Sequence, residues 1–274
     1  MGKSKRRKLE EKRGAPKTRP ATKSHGISKP TKPQSKSQQH KTQEPTIPFA
    51  PDDRILLIGE GDFSFAHSLL THHGCTSLLA TCYDSRVALL EKYPQAEGFI
   101  TELLEEAQEV LYEVNATKLS QKEIRKGQRW DRIVFNFPHV GGKSTDVNRQ
   151  VRYNQELLVN FFRTATPLLA PSGIIIVTLF EGEPYTLWNI RDLARHAGLT
   201  VERSFKFQSE AYPGYKHART LGNIEGGGGW KGETRLARSY EFTAEVKDTR
   251  VGPRMHPDRM NRKRKRDESS DEDD

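Results

Sequence analysis

Between residues 54 and 246, aliphatic runs alternate with segments of helical periodicity 10 to 15 residues long, and few architectures accommodate such a chain. The runs are short enough for strands buried on both faces, and the stretches between them are long enough for the crossovers that parallel neighbours need. "RILLIGEGDFSFAHSLLTHHG" passes from a strand through a glycine-bearing turn into a helix with Phe65, Leu69 and Leu70 on one face. "SLLATCYDS" predicts a second strand ending at Asp84, and "RVALLEKYP" a helix closed by Pro94. "ITELLEEAQ" is helical and leads to a short strand near Leu111 to Val114. "RWDRIVFNFP" predicts the fourth strand, "NQELLVNFFRTATPLLA" a helix and "GIIIVTLF" the fifth strand. "LWNIRDLARHAG" is helical, whereas "LTVERSFKF" and "ARSYEFTAEV" are extended with no helix between them. The expected fold is therefore α/β, a mostly parallel sheet whose last strand is antiparallel.

The ends do not share this pattern. Apolar residues make up 34% of the chain, against roughly 45–50% in globular proteins, and the deficit is local. Residues 1–50 hold 14 Lys/Arg against 3 Asp/Glu with few aliphatics, and residues 247–274 hold 9 basic and 8 acidic residues, segregated into "NRKRKR" and "DESSDEDD". Both are expected to be disordered, because neither buries enough apolar surface to offset the entropy of ordering. Of the whole-chain charge of +9, residues 51–246 carry −3. The expected organisation is a basic arm (1–50), one domain (51–246) and a basic/acidic tail (247–274), with phosphate attraction concentrated on the arms. "KSKRRK" and "RKRKR" also suit a nuclear import address. Cys75 and Cys82 are the only cysteines and lack zinc-ligand spacing, so neither a metal nor a disulfide framework is expected. The charged amino terminus and the lack of an 18-residue apolar run lead to the expectation of a soluble, intracellular chain with no membrane partner.

In doubly wound sheets ligands bind beyond the carboxyl ends of the strands, and four such places carry unusual residues. After the first strand, Gly59 permits a tight turn and Gly61 a close backbone approach, with Glu60 and Asp62 beside them. Carboxylates there oppose a pyrophosphate and favour a cationic ligand. Asp84, ending the second strand, is placed either to accept ribose hydroxyls or to cap the following helix. Asn115 and Ala116 border the position of an adenine, though Asn is also an ordinary turn residue. After the fourth strand, "NFPH" offers the Asn136 amide, the rigid Pro138, and the planar faces of Phe137 and His139. Together these describe S-adenosylmethionine beside a nucleobase. A later stretch, "SEAYPGYKHARTLGNIEGGGGW", interleaves Tyr212, Tyr215 and Trp230 with Lys216, His217 and Arg219. That composition suits stacking on unpaired bases, or else a mobile surface loop with its aromatics tucked inward.

"LLIGEGDFSFAHSL", "RWDRIVFNFPHVGG" and "YPGYKHART" resemble the Rossmann-like domain of the fungal 25S rRNA (uridine-N(3))-methyltransferases, over roughly residues 52–246. The resemblance implies a seven-stranded class I fold, S-adenosylmethionine as methyl donor and a uridine of large-subunit rRNA as acceptor, within the nucleolus. It places the turn of Gly59, Glu60 and Gly61 and Asp84 at the cofactor, where Asp62, Asn115 and Ala116 are expected from their positions after the strands. Asn136, Pro138 and His139 lie at the transfer site, with His139 the nearest group to take the N3 proton. Phe137, Tyr212, Tyr215, Lys216, His217 and Arg219 fall to the RNA. Asn115 stands where the family commonly has Asp, and Ala218 where a second basic residue is frequent. The implied partners are rRNA or a pre-ribosomal particle and nuclear import factors, for a monomeric enzyme. Two rivals share these features: an adenine-amine methyltransferase and a non-catalytic assembly factor that binds RNA on the same scaffold.

Overall fold

The first strand, β1 (Ile55–Ile58), is buried along its whole length, and its alternate residues serve two cores. In the computed structural model, which describes residues 44–119, 124, 129–218, 220, 222 and 235–244, Ile55 and Leu57 pack with Phe63, Leu69 and Ile176 on one face of a sheet. Leu56 and Ile58 pack with Phe135, Phe161 and Val177 on the other. Period-two alternation in a strand buried on both faces produces this division.

Around β1 the sheet adds β2 (Leu78–Thr81), β3 (Glu109–Leu111), β4 (Trp130–Asn136), β5 (Leu169–Phe180), β6 (Leu199–Phe207) and β7 (Ala237–Ala244), in the order β3-β2-β1-β4-β5-β7-β6. The first five strands are parallel where they pair, and β7 runs antiparallel to both β5 and β6, as the missing crossover helix requires. Helices α1 (Ser64–His73), α2 (Arg86–Lys92) and α3 (Ala96–Glu105) belong to the β1–β3 half, α4 (Val147–Ala165) and α5 (Ile190–His196) to the other.

Three boundaries differ from expectation. β3 closes at Leu111 rather than near Val114. α4 begins at Val147, ahead of Asn154, with the Asp146 carboxylate accepting from Arg149 N–H at 2.8 Å; the polar "VNRQVRY" hides this turn from an apolar periodicity. Pro48 is buried and Ile47 and Phe49 pack on the core, Phe49 lying 6.2 Å from Phe65. The folded body thus starts before Pro51. Residues 1–43 and 245–274, and Arg219 and Trp230, lie outside the described residues. No helix among the described residues is long and apolar enough to cross a membrane.

Candidate active site

The carboxyl ends of β1, β2 and β4 open into a cleft of about 900 Å³. The sheet brings Gly59, Glu60, Gly61, Asp62, Asp84, Asn115, Ala116, Asn136, Phe137 and His139 to its wall, together with Tyr215, Lys216 and His217 from the late segment. Pro138 is buried just behind it.

The glycine turn is fixed from both sides. Gly59 has φ +69°, and a Cβ there would lie 2.7 Å from the Phe135 ring. Asp62 is 6% exposed, and its carboxylate accepts from the Ser64 N–H at 3.1 Å, the Ser64 hydroxyl at 2.7 Å and the Gln95 amide at 3.2 Å. These bonds direct its carboxylate to the start of α1. Glu60 differs: burial, reinforced by the neighbouring Asp62 and only partly relieved by a bond from Ala66 N–H, pushes its pKa up to about 8. Without a cation beside it Glu60 is largely protonated at neutral pH, and a positive ligand favours its ionised form. The expectation that both carboxylates repel phosphate is therefore too simple, since one is neutral and the other already bonded.

Asp84 does not cap α2. Ser85 takes that role, its hydroxyl accepting from Ala88 N–H at 3.3 Å. Both Asp84 oxygens instead accept from Lys92 Nζ, each at 2.8 Å. A carboxylate offers about four lone-pair sites, so this pair fixes its direction and leaves acceptor capacity toward the cleft. Lys92 has no sequence signature; it is found only because α2 returns it over the end of β2. Asn115 is constrained as well, its amide oxygen accepting from Thr117 N–H at 2.9 Å and from the Thr117 hydroxyl at 2.8 Å. Its acceptor is thus engaged in this turn, and the side chain lines the cleft.

At the end of β4, Asn136 pairs in register with Thr178 of β5. Phe137 then takes a left-handed conformation (φ 50°) while its N–H donates to Thr178 O at 2.8 Å. Such a turn is costly for an aromatic residue. It turns the Phe137 ring onto Phe180 (4.5 Å) and His217 (4.4 Å). Asn136 Nδ2 is buried with no hydrogen-bond partner among the described residues, a costly state in a native interior. The loop beyond is held by α4: Asn154 accepts from Val140 N–H at 3.0 Å, and Gln150 bridges Gly141 O and Ser144 N–H. The Gln150 anchor lies in the part of α4 hidden from the sequence pattern. His139 Nδ1 accepts from Gly141 N–H at 2.9 Å. The neutral ring therefore carries its proton on Nε2, and burial lowers its pKa below the usual histidine value.

The late segment divides. Tyr212 does not reach the cleft: it is 4% exposed, stacked on Phe207 at 5.5 Å and 14° and set 4.8 Å from Phe65. Its expected contact with RNA is replaced by a core role. Tyr215, Lys216, His217 and Ala218 continue across the glycine turn. Lys216 N–H donates to the Ser64 hydroxyl at 3.2 Å, and a Cβ on Gly61 would come within 2.5 Å of Ala218 Cβ. Burial, then the charge of Arg235, lowers the His217 pKa to about 4. The expected Arg219 contact falls outside the described residues.

A sheet ordered 3-2-1-4-5-7-6 with β7 antiparallel, carrying a glycine turn after β1 and an acid after β2 at one cleft, defines a Rossmann-like class I methyltransferase. Residues 56–219 match the model of the rRNA (uridine-N3-)-methyltransferase BTM5-like family. This chain belongs to that family. It is 32% identical to the Saccharomyces cerevisiae 25S rRNA (uridine(2634)-N(3))-methyltransferase, across 86% of this chain and 83% of the yeast protein. It is also 37% identical to the mouse ferredoxin-fold anticodon-binding domain-containing protein 1 homolog, across 60% of this chain and 27% of that one. Similar solved structures include a methyltransferase from Pyrococcus furiosus, 20% identical with a TM-score of 0.45, covering 72% of this chain and 77% of that one.

The donor set fits S-adenosylmethionine, the methyl donor of this class: a side-chain-free turn at Gly59, an oriented carboxylate at Asp84 and a neutral Glu60 that a sulfonium would ionise. Asp84→Ala is expected to weaken binding of S-adenosylmethionine about tenfold or more, because each hydrogen bond lost from a charged acceptor is worth roughly 1.5–3 kcal/mol. The fold should persist, since Lys92 is partly exposed and stays hydrated when its partner is removed. Isothermal calorimetry checks this, and an unchanged affinity removes Asp84 from the cofactor site.

Proposed function

We propose that this chain methylates N3 of a uridine in large-subunit rRNA, either free or in a pre-ribosomal particle, with the Asn136–His139 turn holding the uracil. The observation that carries this reading is Asn136, which lines the cleft and whose buried Nδ2 has no hydrogen-bond partner among the described residues. When bound, S-adenosylmethionine supplies an electrophilic methyl group. The uridine N3–H is a weakly acidic imide, so attack requires loss of its proton, and the resulting charge spreads onto the flanking carbonyl oxygens. Asn136 Nδ2–H is a fixed donor for one of them, a placement effective because it needs no reorganisation. The turn at Phe137 and the buried Pro138 hold that amide in place. His139 Nε2–H is a second donor.

His139 as general base, the expectation from sequence, meets an obstacle in the Gly141 contact. For Nε2 to accept the uridine proton, Nδ1 would have to carry one already and give up its bond. In our reading the proton leaves to solvent, and the pH profile discriminates. A histidine base with a lowered pKa would make the single-turnover rate level off above about pH 6.5. Solvent deprotonation keeps the rate rising roughly tenfold per pH unit until the imide itself titrates. The expected result is a continuing rise for wild type, with His139→Gln running parallel beneath it. A plateau that vanishes in the variant restores His139 as the base.

Incubating the full chain with unmodified large-subunit rRNA and S-adenosylmethionine, then digesting to nucleosides for mass spectrometry, tests the function directly. 3-Methyluridine is the expected product; a methylated adenine, or no product at all, overturns the reading. The basic runs at both ends support entry to the nucleus by import factors and residence in the nucleolus. Nucleolar accumulation of a fusion lacking residues 1–43 and 245–274 would remove that assignment. The enzyme is proposed to act as a monomer, and light scattering in solution measures this.

A further inference from the structure

Across the wall of rings that bounds the cleft lies a second, smaller pocket of about 200 Å³. Phe137, Phe180, Tyr215 and His217 line both spaces, one on each side. Phe207 adds its ring to the far side, 5.5 Å from Phe137 and at 86° to it. Lys206, Arg235 and Glu210 stand at the rim. The Arg235 guanidinium lies 4.5 Å from the Phe180 ring centre and 5.1 Å from that of Tyr185. Among the described residues neither the Lys206 nor the Arg235 side chain has a hydrogen-bond or carboxylate partner, the nearby Arg203 and Arg238 taking Glu241 and Glu181. Beside them Leu236 is 58% exposed.

Two cations with no carboxylate partner among the described residues suit an anion, and a cluster of rings suits a planar face. A nucleotide supplies both within one unit. The pocket is too small for the cofactor and its acceptor together, and its shared wall sets it beside the place where the target base must sit. The uridine N3 lies on the pairing edge, so the target has to leave its stack to be reached. Its neighbour then loses a stacking partner, which a second ring-lined pocket would replace.

We propose that this pocket receives the base of the nucleotide adjacent to the target uridine, with Arg235 and Lys206 holding the phosphate that joins the two. Glu210 is then an acceptor for a base N–H or amine at the rim. The proposal rests on the rRNA-methyltransferase reading above and extends it to a second subsite, so that two consecutive bases are splayed over the Phe137–His217 wall.

The test uses the full chain and an RNA oligonucleotide centred on the uridine that the wild type is first found to methylate in rRNA. 2-Aminopurine is placed on the 5′ side of that uridine in one oligonucleotide and on the 3′ side in another. One of the two is expected to be quenched on binding, as stacking on the wall requires. An abasic nucleotide on that same side should weaken wild-type binding on the order of tenfold. Arg235→Ala should weaken binding and reduce the log–log salt slope by about 1, with affinity for S-adenosylmethionine unchanged. Arg235→Lys should restore the salt slope. Absence of quenching on both sides, or wild-type affinity indifferent to an abasic nucleotide on either side, overturns the proposal. A wild type that forms no 3-methyluridine on large-subunit rRNA overturns instead the reading on which it rests, and that result is seen before any variant is made.

Discussion

Asn136→Ala is expected to lower the single-turnover rate by about 10²–10³-fold, the usual cost of removing one preorganised donor from developing negative charge. Affinity for S-adenosylmethionine should change far less. The expectation follows from the state of the amide. Its Nδ2 sits buried with no hydrogen-bond partner among the described residues, on a backbone fixed by register with Thr178 and by the left-handed turn at Phe137. A group that already bears the cost of lost hydration recovers it only when the deprotonated uracil arrives, so its contribution falls on the transition state rather than on ground-state binding. Asn136→Asp should be worse, because it sets a carboxylate against the forming anion. Rapid-quench measurements with saturating cofactor and RNA give the rate. A decrease below about tenfold would leave the amide without a catalytic role.

Gly59→Val is expected to abolish measurable cofactor binding and to lower the melting temperature by roughly 5–20 °C, from costs of two kinds. A β-branched residue at φ +69° adds about 1–2 kcal/mol, and a Cβ placed 2.7 Å from the buried Phe135 ring adds an overpacking cost of about 1–3 kcal/mol. For a domain of this size each kcal/mol corresponds to roughly 2–4 °C. Calorimetry and a thermal melt report the two effects separately. A variant that melts lower but still binds S-adenosylmethionine would show that the turn shapes the fold without cradling the ligand.

Much of this was legible in the sequence because the signals are local. Aliphatic runs of four to eight residues with helical stretches between them left one class of sheet, and the absence of a helix before β7 gave its direction. The glycine turn, Asp84 and Asn136 were found because the ends of parallel strands converge. What escaped depends on contacts distant in sequence or hidden by polarity. The first two turns of α4 contain Gln150, which holds the loop after β4, and Tyr153, which lines the cleft, yet their residues are too polar to register as a buried face. Lys92 reaches Asp84 only through the path of α2. Tyr212 and Tyr215 look alike in the sequence, and only the packing of Phe65 and Phe207 sends the first into the core. The acids of the first turn look alike in the sequence, whereas burial raises the Glu60 pKa to about 8 and hydrogen bonds from Ser64 hold the Asp62 carboxylate.

The hydroxyl of Ser64 touches both Asp62, beneath the cofactor turn, and the backbone of Lys216 in the segment that faces the acceptor, while Ala218 rests against Gly61. Such a joint gives the two ligands a route by which each can alter the affinity of the other. Whatever factor RNA applies to the dissociation constant of S-adenosylmethionine, the cofactor must return to RNA, since the cycle of four states closes. Titrations carried out in both orders should give equal factors greater than one, and factors of one in both would show that the joint transmits nothing. The enzyme would then hold its methyl donor most firmly when an acceptor is present, and the product cofactor would leave more easily once the methylated RNA had gone.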